Sequence, residues 1–257
     1  MENILVVTNS QNNYLLNKSY STYKSLFDNT NYKFVCIDGK NHLYGYHLFD
    51  YLFSKYFVDT SWDYMLYIDE DMFISDINEL YHLIDFFIEN NYTYCGVPDG
   101  GVINHRFHNP LCINTFISLW NIKDIRKVYD SKIIASVKYD KKKDGDIFQN
   151  KQLSDIIDKH QNEKVNNWDS PNVHYEKINY DDFEPYYKIF LFLNRNGAIP
   201  YYLDANNSFN EHDILTSEVL NYNGNVIGYH TWMAREYGKS LDQTSRINKI
   251  LNKLNLM

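Results

Sequence analysis

Short apolar runs alternate with longer amphipathic stretches along the first half of the chain. Runs rich in aromatic and β-branched residues predict strands, at residues 4–8, 32–38, 64–68 and 92–97. The stretches between them have the spacing of helices, at residues 13–27, 44–57 and 76–90. Strands that alternate with helices of this length are typical of an α/β fold with a mostly parallel central sheet flanked by helices.

The third of these helices has the clearest amphipathic pattern. Asp76 is placed to cap its N-terminus, and Glu79 three residues later completes a capping-box pattern. Apolar residues then recur at helical spacing, at Leu80, Leu83, Ile84, Phe87 and Ile88. The pattern predicts a helix with one buried face.

The second half is less regular. Apolar segments predict strands at residues 111–121, 199–203 and 225–230, and helices at residues 122–129, 151–160, 186–193 and 241–254. Residues 131–176 contain a charged turn at 141–146, so we interpret this segment as an insertion or a lid. The last helix has one apolar face; we expect it to dock on the protein, with attachment to an anionic membrane surface as the alternative.

The composition argues against several classes of protein. The chain has 257 residues, a net charge of -8 and no long basic stripe, so nucleic acid is not an expected partner. Three widely spaced cysteines lack metal-ligand spacing, which indicates reduced thiols. We find no leader-like segment and no apolar run of transmembrane length, so we expect a cytoplasmic protein, in the host cytoplasm if the source is viral.

Three acidic residues, Asp69, Glu70 and Asp71, follow the predicted strand 64–68. Carboxylates crowded at the end of a buried strand repel one another and are costly to desolvate, and a cation relieves both problems. Mg²⁺ and Mn²⁺ prefer oxygen ligands and bridge readily to phosphates. We therefore expect a metal site that holds a diphosphate, although an acidic turn after a strand could carry the same pattern.

The order and spacing of four segments resemble the GT-A glycosyltransferases, a Rossmann-like family with a DxD motif. The segments are residues 64–71, the glycine-rich residues 98–101, the strand with Asn114, and residues 228–232. The resemblance implies a single catalytic domain over 1–257, with a nucleotide-binding half at 1–97 and an acceptor-binding half at 98–257 that includes the insertion at 131–176. It also implies metal-dependent transfer of a hexosyl group from a nucleotide-diphosphate sugar, a UDP-sugar being favoured, to a saccharide or glycan acceptor.

The resemblance assigns the metal ligands. Asp71 would bind Mn²⁺ or Mg²⁺ directly, and Asp69 would bind it directly, through water, or contact the ribose instead. His230 would be a third protein ligand from the second half of the chain, and Glu70 would point elsewhere. Such a metal orients the diphosphate and neutralises the leaving nucleoside diphosphate. A histidine beside Trp232 could also be held by ordinary hydrogen bonds.

Further contacts to the donor nucleotide sugar are expected at strand ends. These candidates share polar side chains or a flexible backbone, and they are Thr8, Asn9, Asp38, Asp99, Gly100, Asn114, Arg235 and Lys239. The two basic residues would neutralise phosphate oxygens, and Asp99 with Gly100 would form a sugar-binding edge. Most are also common turn or surface residues.

A catalytic base is predicted just before the helix at 186–193. Asp181, Asp182 and Glu184 lie there, and in inverting members of the family an acid near this position deprotonates the acceptor hydroxyl. A retaining enzyme needs no such base, and acids at a helix start also serve as capping residues.

Other functions remain open at this stage. A sugar-nucleotide pyrophosphorylase would want a glycine-rich loop after the first strand, and residues 8–12 contain no glycine. A metal nuclease or phosphatase would need more acids or histidines at other strand ends. A non-catalytic carbohydrate- or nucleotide-binding protein on a degenerate transferase fold is a further alternative, and the sequence leaves oligomerisation open.

Overall fold

The computed structural model of the chain describes residues 2–39, 46–103, 105–162, 178–181, 184–206, 213 and 215–257. A six-stranded sheet with the order β2-β1-β3-β6-β5-β7 lies at its centre. Its strands are β1 (Ile4–Ser10), β2 (Tyr32–Asp38), β3 (Tyr64–Ile68), β5 (Tyr94–Pro98), β6 (Ile113–Trp120) and β7 (Pro200–Tyr202). Strand β1 is parallel to β2 and β3, and β5 is parallel to β7, whereas β6 is antiparallel to both of its neighbours. The predicted α/β architecture with a mostly parallel central sheet is confirmed.

Helices flank this sheet, as predicted. They are α1 (Asn13–Tyr23), α2 (Tyr46–Tyr56), α3 (Ile77–Glu89), α4 (Ile122–Val128), α5 (Ser131–Ser136), α6 (Lys141–Asp144), α7 (Lys151–Asn162), α8 (Tyr187–Arg195) and α9 (Leu241–Lys253). Every residue of β3 and β6 is buried, because these strands lie in the middle of the sheet and are covered on both faces. The uninterrupted run of apolar and aromatic residues in β3 fits this position.

A second, antiparallel sheet was not predicted. Its strand order is β4-β10-β9-β8, with β4 (Met72–Ile74), β8 (Ala205–Asn206), β9 (Ser217–Leu220) and β10 (Val226–His230). Apart from β10, these strands have two to four residues, which is too short for a period-two pattern to be visible. Strand β3 ends at Ile68 and β4 begins at Met72, so the chain passes from one sheet to the other within three acidic residues.

Of the two residues predicted to cap the N-terminus of α3, one does so. Asp76 accepts a hydrogen bond from the backbone of Asn78, so its capping role is confirmed. Glu79 does not return to the cap. Its carboxylate accepts hydrogen bonds from three asparagines of the turn between β9 and β10, namely Asn221, Asn223 and Asn225. The capping-box prediction was wrong because a tertiary contact offered this carboxylate more donors than its own helix did.

The charged segment at 141–146 is a second correction. It was predicted as a charged turn, but it begins with the single-turn helix α6, which is capped by the side chain of Asp140. The buried carboxylate of Asp144 accepts two hydrogen bonds of 2.6 Å from the Arg195 guanidinium on α8. A paired, buried carboxylate fixes the segment to the protein.

Helix α9 docks on the second sheet, as expected. Its residues Ile247, Ile250 and Leu251 are fully buried in one apolar cluster with Phe73 and Tyr229. Within the described ranges, no helix combines the length and the apolar character needed to cross a bilayer.

Gly228 determines how closely β10 approaches β4. A Cβ atom at this position would lie 2.2 Å from the carbonyl oxygen of Phe73 and 2.9 Å from the Cα of Ile74. Both are backbone atoms of the paired strand, so neither can move aside without disturbing the sheet.

We expect Gly228→Ala to destabilise the protein by about 3 kcal/mol through overpacking. Gly224→Ala is the matched control: it has a φ of 82° but no atom within 4 Å of the added Cβ, so it should cost about 1 kcal/mol through strain alone. Urea denaturation followed by tryptophan fluorescence measures both. Equal losses in the two variants would contradict a steric role for Gly228.

Candidate functional site

The three predicted metal ligands converge at the junction of the two sheets. Asp69 and Asp71 lie in the turn between β3 and β4, and His230 ends β10, which pairs with β4. One ligand atom of each lies within 4.8 Å of the others. Two carboxylates and one imidazole form a donor set that suits Mn²⁺, and the imidazole favours a transition metal over Mg²⁺.

Asp71 and His230 form a buried pair. The His230 Nε2 atom lies 3.1 Å from Asp71 Oδ1, and both residues are less than 10% exposed. Burial acts to raise the pKa of Asp71, but the neighbouring His230 outweighs it and the pKa of Asp71 is lowered. Asp71 is therefore ionised at neutral pH and available to a cation.

Asp69 is held by Tyr67, which was not among the predicted site residues. The fully buried Tyr67 donates a hydrogen bond of 2.8 Å from its hydroxyl to Asp69 Oδ1. Burial and the charge of Asp71 raise the pKa of Asp69 to about 6. Tyr67 lies two positions earlier on β3 and so on the same face of the strand, a signal that the sequence did contain.

Glu70 has partners different from those of Asp69 and Asp71. Its Oε2 atom accepts hydrogen bonds from the backbone N–H groups of Gln11 at 2.8 Å and Asn12 at 2.7 Å, and from the Ser10 hydroxyl at 3.2 Å. Burial raises the pKa of Glu70 to about 7, although these backbone hydrogen bonds oppose the shift. Glu70 therefore ties the acidic turn to the start of α1.

The His230 ring is fixed by aromatic neighbours. It stacks on Phe116 with ring centroids 4.1 Å apart and meets the Trp232 ring at 4.3 Å. Its Nδ1 atom is buried and has no hydrogen-bond partner in the described part of the chain. Packing against these two rings limits the rotation of the imidazole and keeps Nε2 3.1 Å from Asp71 Oδ1.

The backbone after His230 bends sharply over the site. Trp232 and Met233 both have positive φ values, 53° and 59°, which are unusual for residues with side chains. Arg246 on α9 stabilises this bend by donating hydrogen bonds to the Trp232 carbonyl and the Thr216 hydroxyl, each at 2.8 Å. This supporting arginine was not predicted.

A pocket with a volume of about 210 Å³ is lined in part by Asp69, Asp71 and His230. Its lining includes the acidic turn, His230, and side chains from three other parts of the fold, namely Asn9, Gln11, Asn114, Trp232, Met233, Ala234 and Arg235. Strand β1 supplies Asn9 at its C-terminal end, where ligands of open α/β sheets bind. Apart from the three predicted metal ligands, the residues predicted to contact the donor include Asn9, Asn114 and Arg235, and these three line the same pocket.

Other predicted contacts to the donor lie elsewhere. Thr8 has no exposed surface and lies near Tyr23, so its predicted contact with a ligand is not supported. Asp38, at the exposed end of β2, and the exposed Lys239 are not among the described residues that line this pocket. Alternate side chains of a strand point to opposite faces, which is why Thr8 and Asn9 diverge.

Asp99 is engaged entirely by the protein. It has no exposed surface and accepts hydrogen bonds from both Arg106 Nε and Nη2 at 2.6 Å, from Asn114 Nδ2 at 2.8 Å, and from the Tyr187 hydroxyl. A sugar hydroxyl could bind this carboxylate only by displacing one of these donors. Asp99 thus acts as an internal anchor for Arg106 and Asn114 in this structure.

Gly100 is likewise enclosed by its own chain. It forms an isolated bridge with Phe107, and a Cβ atom there would lie 1.9 Å from the carbonyl oxygen of His108. The absence of a side chain is required by this close backbone approach. The predicted contact of Gly100 with a donor sugar stays a prediction.

The predicted catalytic acids are spread over two environments. Glu184 lies 3.7 Å from Arg106 Nη2, and burial together with Asp99 raises its pKa. Asp181 lies 3.8 Å from His108 and accepts a hydrogen bond from Asn179. Asp182 lies outside the described residues. The catalytic role of all three stays a prediction.

We expect Mn²⁺ affinity to rise between pH 5 and pH 7 because Asp69, with a pKa of about 6, must lose its proton to bind a cation. Tyr67→Phe removes a hydrogen bond that lowers this pKa, so its midpoint should move to higher pH. Titration calorimetry with MnCl₂ at a series of pH values measures both, and Tyr222→Phe on the surface is the control. A flat profile, or the same midpoint in both proteins, would argue against Asp69 as a ligand.

Comparisons with known proteins give weak similarities. No family model and no curated protein matches the chain. Over 51% of its length the chain is similar to a solved structure described as a glycosyltransferase involved in the glycosylation of the major capsid of PBCV-1, with 16% identity and a TM-score of 0.35. It covers 65% of that protein, which is less than two thirds. A second structure, A197 from STIV, has 11% identity, a TM-score of 0.35, and coverage of 51% of this chain and 70% of its own. Similarities of this size assign neither a family nor an activity.

Proposed function

We propose that the protein is a metal-dependent glycosyltransferase that moves a hexosyl group from a nucleotide-diphosphate sugar, with a UDP-sugar favoured, to a saccharide or glycan acceptor. One observation carries the proposal. Asp69, Asp71 and His230, drawn from two distant parts of the chain, converge with their ligand atoms within 4.8 Å at the edge of a polar pocket.

In this proposal the three side chains hold Mn²⁺, with Mg²⁺ as the alternative. Bound there, the metal would supply positive charge that orients a diphosphate and stabilises a leaving nucleoside diphosphate. Arg235 lines the same pocket and is exposed, so its guanidinium can contribute to binding the phosphates. The pocket residues Asn9 and Gln11 would lie along the nucleoside.

The N-terminus of α1 supports a metal rather than the backbone as the holder of the diphosphate. In many α/β proteins the first helix binds phosphate through its free N–H groups. Here the N–H groups of Tyr14 and Leu15 donate to the side chain of the capping residue Asn12. Those of Gln11 and Asn12, just before the helix, donate to Glu70, so side chains of the protein already accept hydrogen bonds at this end. The arrangement also disfavours a pyrophosphorylase, which would use these groups for phosphate.

The acceptor would approach from the side of Trp232. The Arg106 guanidinium lies 5.8 Å from the centre of the Trp232 ring, and Glu184 lies beside Arg106. Among the predicted bases, Glu184 has the environment that suits the role, because its raised pKa brings its basicity closer to neutral pH. We keep Glu184 as the proposed base if the enzyme inverts configuration.

We expect wild-type protein with Mn²⁺ to hydrolyse at least one of a panel of UDP- and GDP-sugars, and Asp71→Asn to lose about a hundredfold or more of this activity because an amide replaces a charged ligand. Asp155→Asn, on the exposed face of α7, is the matched control and should retain wild-type turnover. Released nucleotide is measured by chromatography.

Two outcomes would contradict the proposal. Wild-type turnover in Asp71→Asn would show that the acidic turn is not the metal site. Nucleotide binding without hydrolysis or transfer of any sugar in the panel would favour the non-catalytic binding protein.

A further inference from the structure

A second pocket lies beside β7, at the edge of the central sheet. Its volume is about 370 Å³, and pockets for small ligands have volumes of roughly 300–1,000 Å³. Its described lining comes from residues 152–159 of α7, from residues 201–204 in and after β7, and from residues 220–224 at the turn between β9 and β10. None of these residues lines the pocket at the three predicted metal ligands. The two pockets are therefore built from different parts of the fold.

Two tyrosines in the lining of the second pocket are supported by other aromatic rings. Tyr222 is 45% exposed, although one face of its ring stacks on Phe86 with the centroids 4.1 Å apart. The Tyr201 ring contacts the rings of Phe86 and Tyr92, each at a centroid distance of 5.0 Å. Phe86 and Tyr92 are not among the described lining residues, so they hold the two tyrosines from outside the pocket. Fixed tyrosine rings offer a large contact area to a ligand at a low entropic cost.

The turn that carries Tyr222 is fixed as well. The Glu79 carboxylate accepts hydrogen bonds from the side chains of Asn221, Asn223 and Asn225, which lie on both sides of Tyr222 in the chain. Connecting turns at a protein surface are usually mobile, whereas this one is tied to α3 by three side chains. A turn that is ordered before binding loses less conformational entropy when a ligand arrives.

Asp204 supplies a fixed hydrogen-bond acceptor in the same lining. Its carboxylate lies 2.6 Å from His160 Nε2 and accepts hydrogen bonds from Lys159 Nζ at 2.7 Å and from the Ala205 N–H at 2.8 Å. Burial acts to raise the pKa of Asp204, but His160 and Lys159 outweigh it and the pKa is lowered, so the carboxylate is ionised at neutral pH. A carboxylate has about four lone-pair sites, so three partners leave room for one more donor.

The charges around the second pocket are paired, which favours a neutral ligand. Lys159 forms an ion pair with Asp204, and Lys151 forms one with Asp155. A phosphate would need a surplus of positive charge here, and a cationic ligand would need a surplus of negative charge.

An extended peptide is also disfavoured, although β7 is an edge strand. The Gln152 side chain accepts a hydrogen bond from the Tyr202 N–H at 3.1 Å and donates one to the Tyr202 carbonyl at 2.9 Å. This amide occupies the backbone groups that an added strand would use. The pocket therefore offers aromatic rings and a carboxylate rather than a strand edge.

We propose that the second pocket binds a neutral saccharide, with Tyr222 stacked on a sugar ring and Asp204 accepting a hydrogen bond from a sugar hydroxyl. A pyranose has a face of C–H groups and a rim of hydroxyl donors, and these two features match a fixed aromatic ring beside an ionised carboxylate.

This binding is separate from the metal-dependent chemistry, because the two pockets share no described lining residue. One consequence rests on the proposed function. On a glycosyltransferase, the second pocket would hold part of a glycan away from the reacting end and would raise the effective concentration of the acceptor.

The experiment is a ligand-observed NMR titration in the absence of metal and nucleotide. The probes are neutral sugars, namely glucose, galactose, mannose, N-acetylglucosamine, xylose, fucose, maltose, cellobiose and lactose. We expect at least one of them to bind the wild-type protein. Tyr222→Ala should weaken this binding about fivefold or more, whereas Tyr222→Phe keeps the ring and should stay within about twofold of the wild type. Asp204→Asn should weaken it about threefold or more, because a neutral oxygen is a poorer acceptor than a charged one.

Phe148→Ala is the matched control, because Phe148 is 67% exposed and is not among the described residues that line this pocket. No binding of any probe to the wild-type protein would overturn the inference and would leave the proposed function intact, since donor hydrolysis tests that function separately. Wild-type affinity in both Tyr222→Ala and Asp204→Asn would place the bound sugar elsewhere and would overturn it too. Equal losses in Phe148→Ala and Tyr222→Ala would show that the effect is not specific to the second pocket.

Discussion

Three carboxylates in succession at the end of a buried strand are the constraint around which the site is built. Each would be costly to bury alone, and the fold gives each a different partner. Asp69 accepts from Tyr67 on its own strand, Glu70 accepts from the start of α1, and Asp71 pairs with His230 from the far end of the chain. The turn is therefore held from three directions, and two of its carboxylates are left facing one point.

The turn can occupy this position because it joins two sheets. Strand β3 lies in the central sheet and β4 in the smaller one, so the acidic residues lie at the junction of the two sheets. Strand β10 reaches this junction because Gly228 allows it to approach the backbone of β4 closely. Helix α9 then fixes the bend after β10 through Arg246. The second sheet and the last helix thus act together to deliver one histidine to the acidic turn.

The network around Asp99 shows how a buried charge supports the pocket from behind. Arg106, Asn114 and Tyr187 all donate to this carboxylate, which leaves it with no exposed surface. An isolated buried charge would be prohibitive, but a fully hydrogen-bonded one makes a rigid support. Asn114 reaches the pocket from this support, so the orientation of a pocket residue depends on an ion pair behind the pocket.

Local sequence patterns were enough to predict the main secondary structure and the α/β class, and they singled out the acidic turn as a candidate cation site. These follow from local patterns: apolar runs, helical spacing and charge crowding are properties of neighbouring residues. The strands 32–38 and 64–68 were predicted to the residue. The three short strands of the second sheet were not, because two to four residues carry no readable period.

Which polar groups come into contact depends on the packing of elements that are far apart in the chain. Glu79 accepts hydrogen bonds from asparagines of the β9–β10 turn and Asp144 accepts them from Arg195, since a carboxylate is stabilised most where several donors converge. Thr8 and Asn9 looked equivalent in sequence, yet only Asn9 reaches the pocket. Glu70 was expected to point away from the metal site, and the fold gave its carboxylate three donors next to the start of α1. Such pairings depend on contacts between residues far apart in the chain, which no local pattern records.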